Sequence, residues 1–210
     1  MALLGQARKE GGLTMLELLH HLSEPVQLTN FRTTLPQKTA AEWDALAFHP
    51  VKQAVKAVLR QEQGHLCVYC EVKVATGDGH VEHIKPKAGP NAQANLCFVY
   101  SNLALSCNTK ETCGSKKKAG LLPIEPGPGC NKEWSLSTDG TIEPLPDLTK
   151  ARRHAVVQTR DMLGLNKSSD LVDERKRWLA SAVEILKAAP NDLSAFLADA
   201  PYRTILATAF

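Results

Sequence analysis

The sequence predicts an α+β fold in which a small, metal-stapled core of mixed structure is inserted in a mainly α-helical scaffold. Residues 1–63 and 121–210 carry apolar side chains at helical spacing. Residues 64–120 instead contain two pairs of cysteines, short alternating stretches and strong turn signals. We therefore divide the chain into an N-terminal helical scaffold, a central core, and a C-terminal loop, hairpin and helical scaffold. We expect the three to pack as one compact unit.

The N-terminal scaffold begins with a leucine-rich stretch. Its apolar residues over 13–22 recur at helical spacing, which predicts a first helix that ends at Pro25. Residues 24–38 are expected to form an extended connection, with Pro36 as a further break.

A second helical region leads directly into the cysteines. Thr39 and Glu42 have the spacing of a capping box. Pro50 can begin the next helix because its missing N–H is one of the unbonded donors of a first turn. Gly64 suits the left-handed position that ends a helix.

The central core is expected to contain two short strands. The first is the alternating stretch 72–74, and a glycine-flanked turn at 77–79 separates it from strand 80–84. In that second strand, alternation places His80 and Glu82 on one face and His83 on the other. The remaining elements predicted are a short helix after Cys113, a hairpin turn at 139–140, and helices at 149–162, 168–189 and 191–200.

Composition limits the classes of function. The chain has 210 residues, 43% of them hydrophobic, and a net charge of +3, so no strong field demands a polyanion. No apolar run approaches the roughly 20 residues that span a bilayer. We expect a cytoplasmic protein, in which thiols stay reduced and paired cysteines are metal ligands more often than disulfides.

The four cysteines of the core could hold one tetrahedral zinc ion. Two residues separate the first pair, a knuckle spacing, whereas five separate the second pair. The alternative is that the second pair are small buried residues. The predicted zinc ligands are Cys67, Cys70, Cys107 and Cys113, whereas Cys97 and Cys130 are interpreted as core or loop residues.

Between the pairs lies HVEHIKPK, a run of two imidazoles and a carboxylate within four residues. With CVYCE, YSNLALSCN and TCGSKK, it resembles the HNH endonucleases, the ββα-metal nucleases. More narrowly, it is similar to PtuB, the HNH subunit of the two-gene Septu anti-phage systems, whose relatives also accompany some retrons. The resemblance implies hydrolysis of phosphodiester bonds in nucleic acid, with DNA favoured over RNA, and an ATPase partner of the PtuA type.

The resemblance also implies roles for individual residues. One Mg2+ or Mn2+ ion would hold the scissile phosphate, with Glu82 as its carboxylate ligand. His83 would be the general base and Asn102 would orient it through the loop backbone. Lys117, or its neighbour Lys116, would steady phosphates as a point charge.

The sequence departs from the family pattern after Cys113. A second metal ligand is expected there, but the residues are Gly114 and Ser115. Ser115 could hold a hard cation through its hydroxyl, and Asn108 or His80 could substitute. His80 is preferred because it shares a strand face with Glu82.

Two alternatives to a nuclease remain open at this point. The first is a zinc-stabilised module that binds nucleic acid or a partner through a degenerate nuclease site, which the missing ligand favours. The second is a purely structural zinc protein in which the HVEHIKPK run is coincidental.

Overall fold

A computed structural model of the chain describes residues 15–34 and 39–210. The helices are α1 (Val26–Thr34), α2 (Ala40–Trp43), α3 (His49–Glu62), α4 (Cys113–Lys117), α5 (Lys150–Leu163), α6 (Ser169–Ala188), α7 (Leu193–Asp199) and α8 (Arg203–Leu206). Two antiparallel strand pairs are present, β1 (His80–His83) with β2 (Leu103–Ser106), and β3 (Trp134–Leu136) with β4 (Ile142–Pro144). The predicted α+β class is confirmed.

The centre of the molecule is the unit formed by β1, β2 and α4. The two strands pair over their whole length, with His80 opposite Ser106 and His83 opposite Leu103. Cys107 follows β2 directly and Cys113 is the first residue of α4, so the two cysteines of the second pair lie at the two ends of the β2–α4 loop.

Helix α3 packs against the β1–β2 pair. Gln63, at the end of the helix, is fully buried and mimics a neighbouring strand. Its Oε1 accepts from the N–H of Leu105 at 2.7 Å, and its Nε2 donates to the carbonyl of the same residue at 2.9 Å. An amide side chain therefore satisfies both backbone groups of a residue at the edge of β2.

The second strand pair is attached to the C-terminal helices by a buried arginine. Arg175 of α6 is 1% exposed and donates through Nε to the carbonyl of Gly140, in the β3–β4 turn, at 2.8 Å. It also donates to the carbonyl of Leu165 at 2.8 Å. The guanidinium thus holds the hairpin, helix α6 and the turn after α5 together.

Several predicted elements are confirmed. The capping box of Thr39 and Glu42 is present, Pro50 lies in the first turn of α3, and Gly64 has a φ of +57°. The hairpin at Gly140 and helices α5, α6 and α7 lie where they were expected. The division of the chain into three segments stays a prediction.

The prediction of a helix over residues 13–22 is wrong for the described part, residues 15–22, which is irregular. Its backbone is bound by distant partners instead of its own turns. The N–H of Leu16 donates to the carbonyl of Val68 at 3.1 Å, and that of Leu22 to Glu62 Oε1 at 2.7 Å. Tertiary contacts have overridden a helical pattern, and residues 13 and 14 lie outside the described range.

The prediction of an extended connection over residues 24–38 is also wrong, because α1 occupies most of it. Pro25 begins this helix rather than ending a preceding one: its carbonyl accepts from the N–H of Leu28 at 2.9 Å. Pro36 lies outside the described residues. The predicted strand 72–74 is reduced to one bridge between Leu66 and Lys73.

Among the described residues, no helix is both long enough and apolar enough to cross a bilayer.

Candidate functional site

The first candidate metal centre is a buried cluster of four thiols beside the β1–β2 pair. Its sulfur atoms all lie within 4.8 Å of one another, and Cys70 Sγ and Cys107 Sγ are 3.8 Å apart. Four sulfurs around zinc, at the usual bond length of about 2.3 Å, would be about 3.8 Å apart. The structure brings together the four predicted ligands, Cys67, Cys70, Cys107 and Cys113.

The four thiols shift each other's pKa values through hydrogen bonds. Hydrogen bonds from the neighbouring thiols hold the pKa of Cys107 well below its ordinary value, and hydrogen bonds with Cys107 raise the pKa of Cys70 and Cys113. Burial opposes ionisation of Cys67, but hydrogen bonds with Cys113 and Cys70 outweigh it and lower the pKa of Cys67 as well. A metal ion bound here would displace the protons that remain on Cys70 and Cys113. All four are buried, as in structural zinc centres.

Local backbone geometry forms the cluster. The N–H of Cys67 donates to the carbonyl of Val72 and that of Glu71 to the carbonyl of Cys67, each at 2.9 Å, which closes a tight turn around the first pair. At the second pair, Ser106 Oγ accepts from the N–H of Gly114 at 3.3 Å. That bond joins the end of β2 to the first turn of α4.

The second candidate site is an open cleft of about 530 Å3 along β1. Trp43 forms one wall, and His80, Glu82 and His83 line the strand side. Four lysines border the cleft, against the carboxylates of Asp44 and Glu82; they are Lys52, Lys56, Lys87 and Lys118. Such a basic border favours a phosphate-containing ligand.

His83 is held in one defined state. Its Nε2 lies 2.9 Å from the carbonyl oxygen of Cys97, and its ring packs edge-on against Trp43, with the ring centroids 4.3 Å apart. Burial lowers the pKa of His83 to about 4, so the imidazole is neutral at pH 7. A carbonyl only accepts, so Nε2 carries the proton and Nδ1 is left with a lone pair.

Glu82 has two oxygens in different environments. Oε1 accepts from Lys117 Nζ at 2.7 Å and lies 3.5 Å from the hydroxyl of Tyr69, whereas Oε2 lies 3.5 Å from His80 Nε2. Burial favours the neutral acid, but the hydrogen bond to His80 and the charge of Lys117 outweigh it and lower the pKa of Glu82. The carboxylate is therefore ionised, with one oxygen held by the protein and the other turned towards His80.

His80 is linked to the turn before β1. Its Nδ1 lies 3.0 Å from Asn108 Oδ1, and Asn108 Nδ2 donates to Asp78 Oδ1 at 2.6 Å. The hydrogen bond to Glu82 raises the pKa of His80, against the effect of burial. His80 and Glu82 together offer one nitrogen and one oxygen, which suits a divalent cation.

Comparison with known proteins agrees with this geometry. No family model matches the chain. A curated protein of Vibrio cholerae serotype O1 biovar El Tor, named "Retron Vc95 putative HNH endonuclease", is 46% identical over 180 residues, which cover 83% of this chain and 87% of the relative. The chain belongs to the HNH endonucleases.

In this HNH endonuclease, Asn102 ties down the loop that faces His83. Its Oδ1 accepts from the N–H of Lys85 at 2.8 Å, and its Nδ2 donates to the carbonyls of Lys85 at 3.0 Å and Leu96 at 3.2 Å. The loop is therefore pinned at both ends. Leu96 directly precedes Cys97, whose carbonyl holds His83, so the amide acts on the imidazole through the backbone.

The structure gives Lys117 and Ser115 surroundings that the motif did not indicate. The side chain of Lys117 is 0% exposed, and its Nζ donates to Glu82 and to the carbonyls of His83 and Lys118. This ammonium is directed at Glu82 and not at the cleft. Ser115 is exposed and is not among the residues that line the cleft.

Sequence reasoning missed two parts of the HNH endonuclease site. Trp43, which has the apolar character of a core residue and is 3% exposed, also supports the His83 ring. Gly114 was interpreted as a lost ligand, whereas its backbone approaches both Glu82 and His80. The first contact has no local signal, because 40 residues separate the two rings.

Proposed function

We propose that this HNH endonuclease is a metal-dependent phosphodiesterase that cuts nucleic acid, DNA in preference to RNA. We also propose that it is the effector of an anti-phage defence system. One observation carries the catalytic part: the neutral His83, with Nε2 bound to a carbonyl and Nδ1 free to accept a proton, lines a cleft beside an ionised carboxylate. A general base must be unprotonated and oriented, and His83, although only 7% exposed, lines the cleft in that state.

In the proposed mechanism, His83 Nδ1 takes a proton from a water molecule, and the water oxygen attacks the phosphorus as the P–O3′ bond breaks. The leaving 3′ oxygen takes a proton from solvent. The Cys97 carbonyl and the edge contact with Trp43 keep the ring in place, and the hydrogen bond at Nε2 stabilises the imidazolium that forms. Asn102 holds the loop that supplies this carbonyl. We therefore assign Asn102 as a positioning residue.

Glu82 would hold a divalent ion, Mg2+ or Mn2+, through Oε2. Its Oε1 is taken by Lys117, so the carboxylate offers the cleft one oxygen in a fixed direction. When bound, such an ion offsets the charge that develops on the phosphate and on the leaving 3′ oxygen. Lys118, at the cleft border, replaces Lys117 in our proposal as the cation that contacts phosphates.

The thiol cluster would hold a structural zinc ion. It joins the turn after α3 to the end of β2 and the start of α4. These elements carry the site: β1 pairs with β2, and α4 supplies Lys117. The proposed zinc thus fixes the distance between the strand that bears the base and the helix that orients the carboxylate.

The proposed defence role is supported by the relative, whose name refers to a retron. We propose that the chain acts with an ATPase partner of the PtuA type, as in Septu systems, and that the partner contributes to substrate binding. The small net charge of +3 is consistent with this division of roles. Infection assays with the His83→Ala variant should show a loss of protection against phage.

The decisive experiment is cleavage of duplex DNA and of tRNA, side by side, by the zinc-loaded chain with its partner ATPase, with Mg2+ or Mn2+. We expect His83→Ala to lower the rate by about 100- to 10,000-fold, the usual contribution of a general base. Zinc content should not change. His21→Ala, which alters an exposed histidine, is the matched control.

Two outcomes would contradict the proposal. Cleavage by His83→Ala at the wild-type rate would remove the assigned base. No product from the wild-type complex, with either nucleic acid and either ion, would favour a binding module with a degenerate site.

A further inference from the structure

We propose that His80 is the second protein ligand of the divalent ion held by Glu82, and that Gly114 is required because it leaves room for this pair. The inference rests on the proposed function and names the ligand set of the same site. The placement of Gly114 against the two ligand atoms is the observation that leads to it.

The hydrogen bond at Nδ1 of His80 directs its other nitrogen, Nε2, towards Glu82. Asn108 donates through Nδ2 to Asp78, so its Oδ1 is the atom that faces His80 Nδ1, at 3.0 Å. An amide oxygen only accepts, so Nδ1 carries a proton, and Nε2, which faces the carboxylate of Glu82 at 3.5 Å, would bind the ion by giving up its own proton. A metal-binding histidine commonly has its other nitrogen fixed in this way by a hydrogen-bond acceptor.

The two ligand atoms have a suitable separation. His80 Nε2 and Glu82 Oε2 are 3.5 Å apart. Adjacent ligand atoms in an octahedral shell with bonds of about 2.1 Å are about 3 Å apart, so a small side-chain movement closes the pair around an ion. The other Glu82 oxygen is occupied by Lys117, which leaves Oε2 as the oxygen for this pair.

Gly114 bounds the space beside these atoms. A Cβ built on Gly114 would lie 2.6 Å from Glu82 Oε2 and 2.8 Å from His80 Nε2, closer than real Cβ atoms approach their neighbours. Gly114 has no positive φ, so its backbone conformation does not demand glycine. The requirement is for space: any side chain at residue 114 would displace one of the two ligand atoms.

The ligand chemistry predicts which ion is preferred. A pair made of one imidazole nitrogen and one carboxylate oxygen is softer than the all-oxygen sets that favour Mg2+. Mn2+ should therefore bind more tightly than Mg2+. Both ligands come from one face of β1.

The test measures Mn2+ binding to the full-length, zinc-loaded chain. Calorimetry gives the Mn2+ affinity, and the 14N coupling in electron spin echo spectra shows whether a nitrogen atom binds the Mn2+. We expect His80→Ala to lower the Mn2+ affinity by about tenfold or more and to abolish the 14N coupling. His83→Ala should keep the coupling. His154→Ala, an exposed histidine of α5, is the control and should change neither value.

Gly114→Ala provides the second arm. We expect it to lower the Mn2+ affinity while the zinc content stays at the wild-type value. If this variant fails to fold, its zinc content will show it, and His80→Ala alone decides. An unchanged Mn2+ affinity or a persistent 14N coupling in His80→Ala would overturn the inference, because His80 would then be only an ion-pair partner of Glu82. The proposed function would still stand on the His83→Ala result.

Discussion

The thiol cluster and the cleft are built on the same pair of strands, but the protein encloses one and leaves the other open. The four cysteines are buried, and the sulfurs of Cys70 and Cys107 are 3.8 Å apart. The cleft has a volume of about 530 Å3 and keeps one carboxylate oxygen and one imidazole nitrogen 3.5 Å apart. Enclosure is typical of structural metal centres, whereas catalytic ones keep an open position.

The comparison teaches that the two centres depend on each other through one short helix. Helix α4 begins at Cys113 in the cluster and ends at Lys117 beside Glu82. Changes in the cluster should therefore lower the stability of the fold most, and changes beside Glu82 should lower it less. Three variants test this difference.

The largest effect should follow from loss of the cluster. We expect Cys107→Ala to lose cooperative folding, because structural zinc contributes about 10–16 kcal/mol, as much as the whole stability of a domain. Circular dichroism on heating and zinc content per chain are the measurements. Cys130→Ala changes a buried thiol outside the cluster and should keep both. A Cys107→Ala variant with wild-type melting would show that the cluster is ordinary core.

An intermediate effect should follow from removal of the ammonium beneath Glu82. Lys117→Met leaves Glu82 partly buried without its cation, which costs about 3–5 kcal/mol for a buried pair. Urea unfolding measures this cost. Lys110→Met, at an exposed site, should stay within about 0.5 kcal/mol of wild type. If both variants unfold alike, the ammonium of Lys117 does not stabilise the ionised Glu82.

The smallest effect concerns Glu71, directly after the first cysteine pair. Burial raises its pKa to about 7, and among the described residues its Oε1 has no hydrogen-bond partner. The folded state therefore binds more protons than the unfolded state between pH 4.5 and about 7. The stability that protonation of Glu71 supplies is complete below pH 4.5 and is lost as the pH rises through about 7.

Glu71→Gln should consequently be more stable than wild type at pH 8, by about 3 kcal/mol at most, and nearly equal to it at pH 4.5. Urea unfolding at the two pH values measures the difference. Cleavage by the variant should remain at the wild-type rate, because Glu71 is not among the residues that line the cleft. Glu184→Gln, on the exposed face of α6, should show no such pH dependence. An equal gain at both pH values would mean that Glu71 is already ionised in the fold.

The residues of the two proposed sites have local signals in the sequence. The knuckle spacing of Cys67 and Cys70 and the alternation of His80 with Glu82 are set by neighbours along the chain. The failures are equally informative. Residues 15–22 have helical spacing, but their backbone N–H groups bind Val68 and Glu62, which the sequence places some 40 to 50 residues away.

The sequence by itself determined which groups are present and on which face of a strand they lie, because two-residue alternation and short turns leave few options. Only the tertiary structure decided their chemical state. The carbonyl of Cys97 selects the tautomer of His83, and the acceptors around Lys117 turn a predicted phosphate contact into a support for Glu82. Tautomers, burial and close approach arise from contacts between distant segments, and these exist only once the chain has packed.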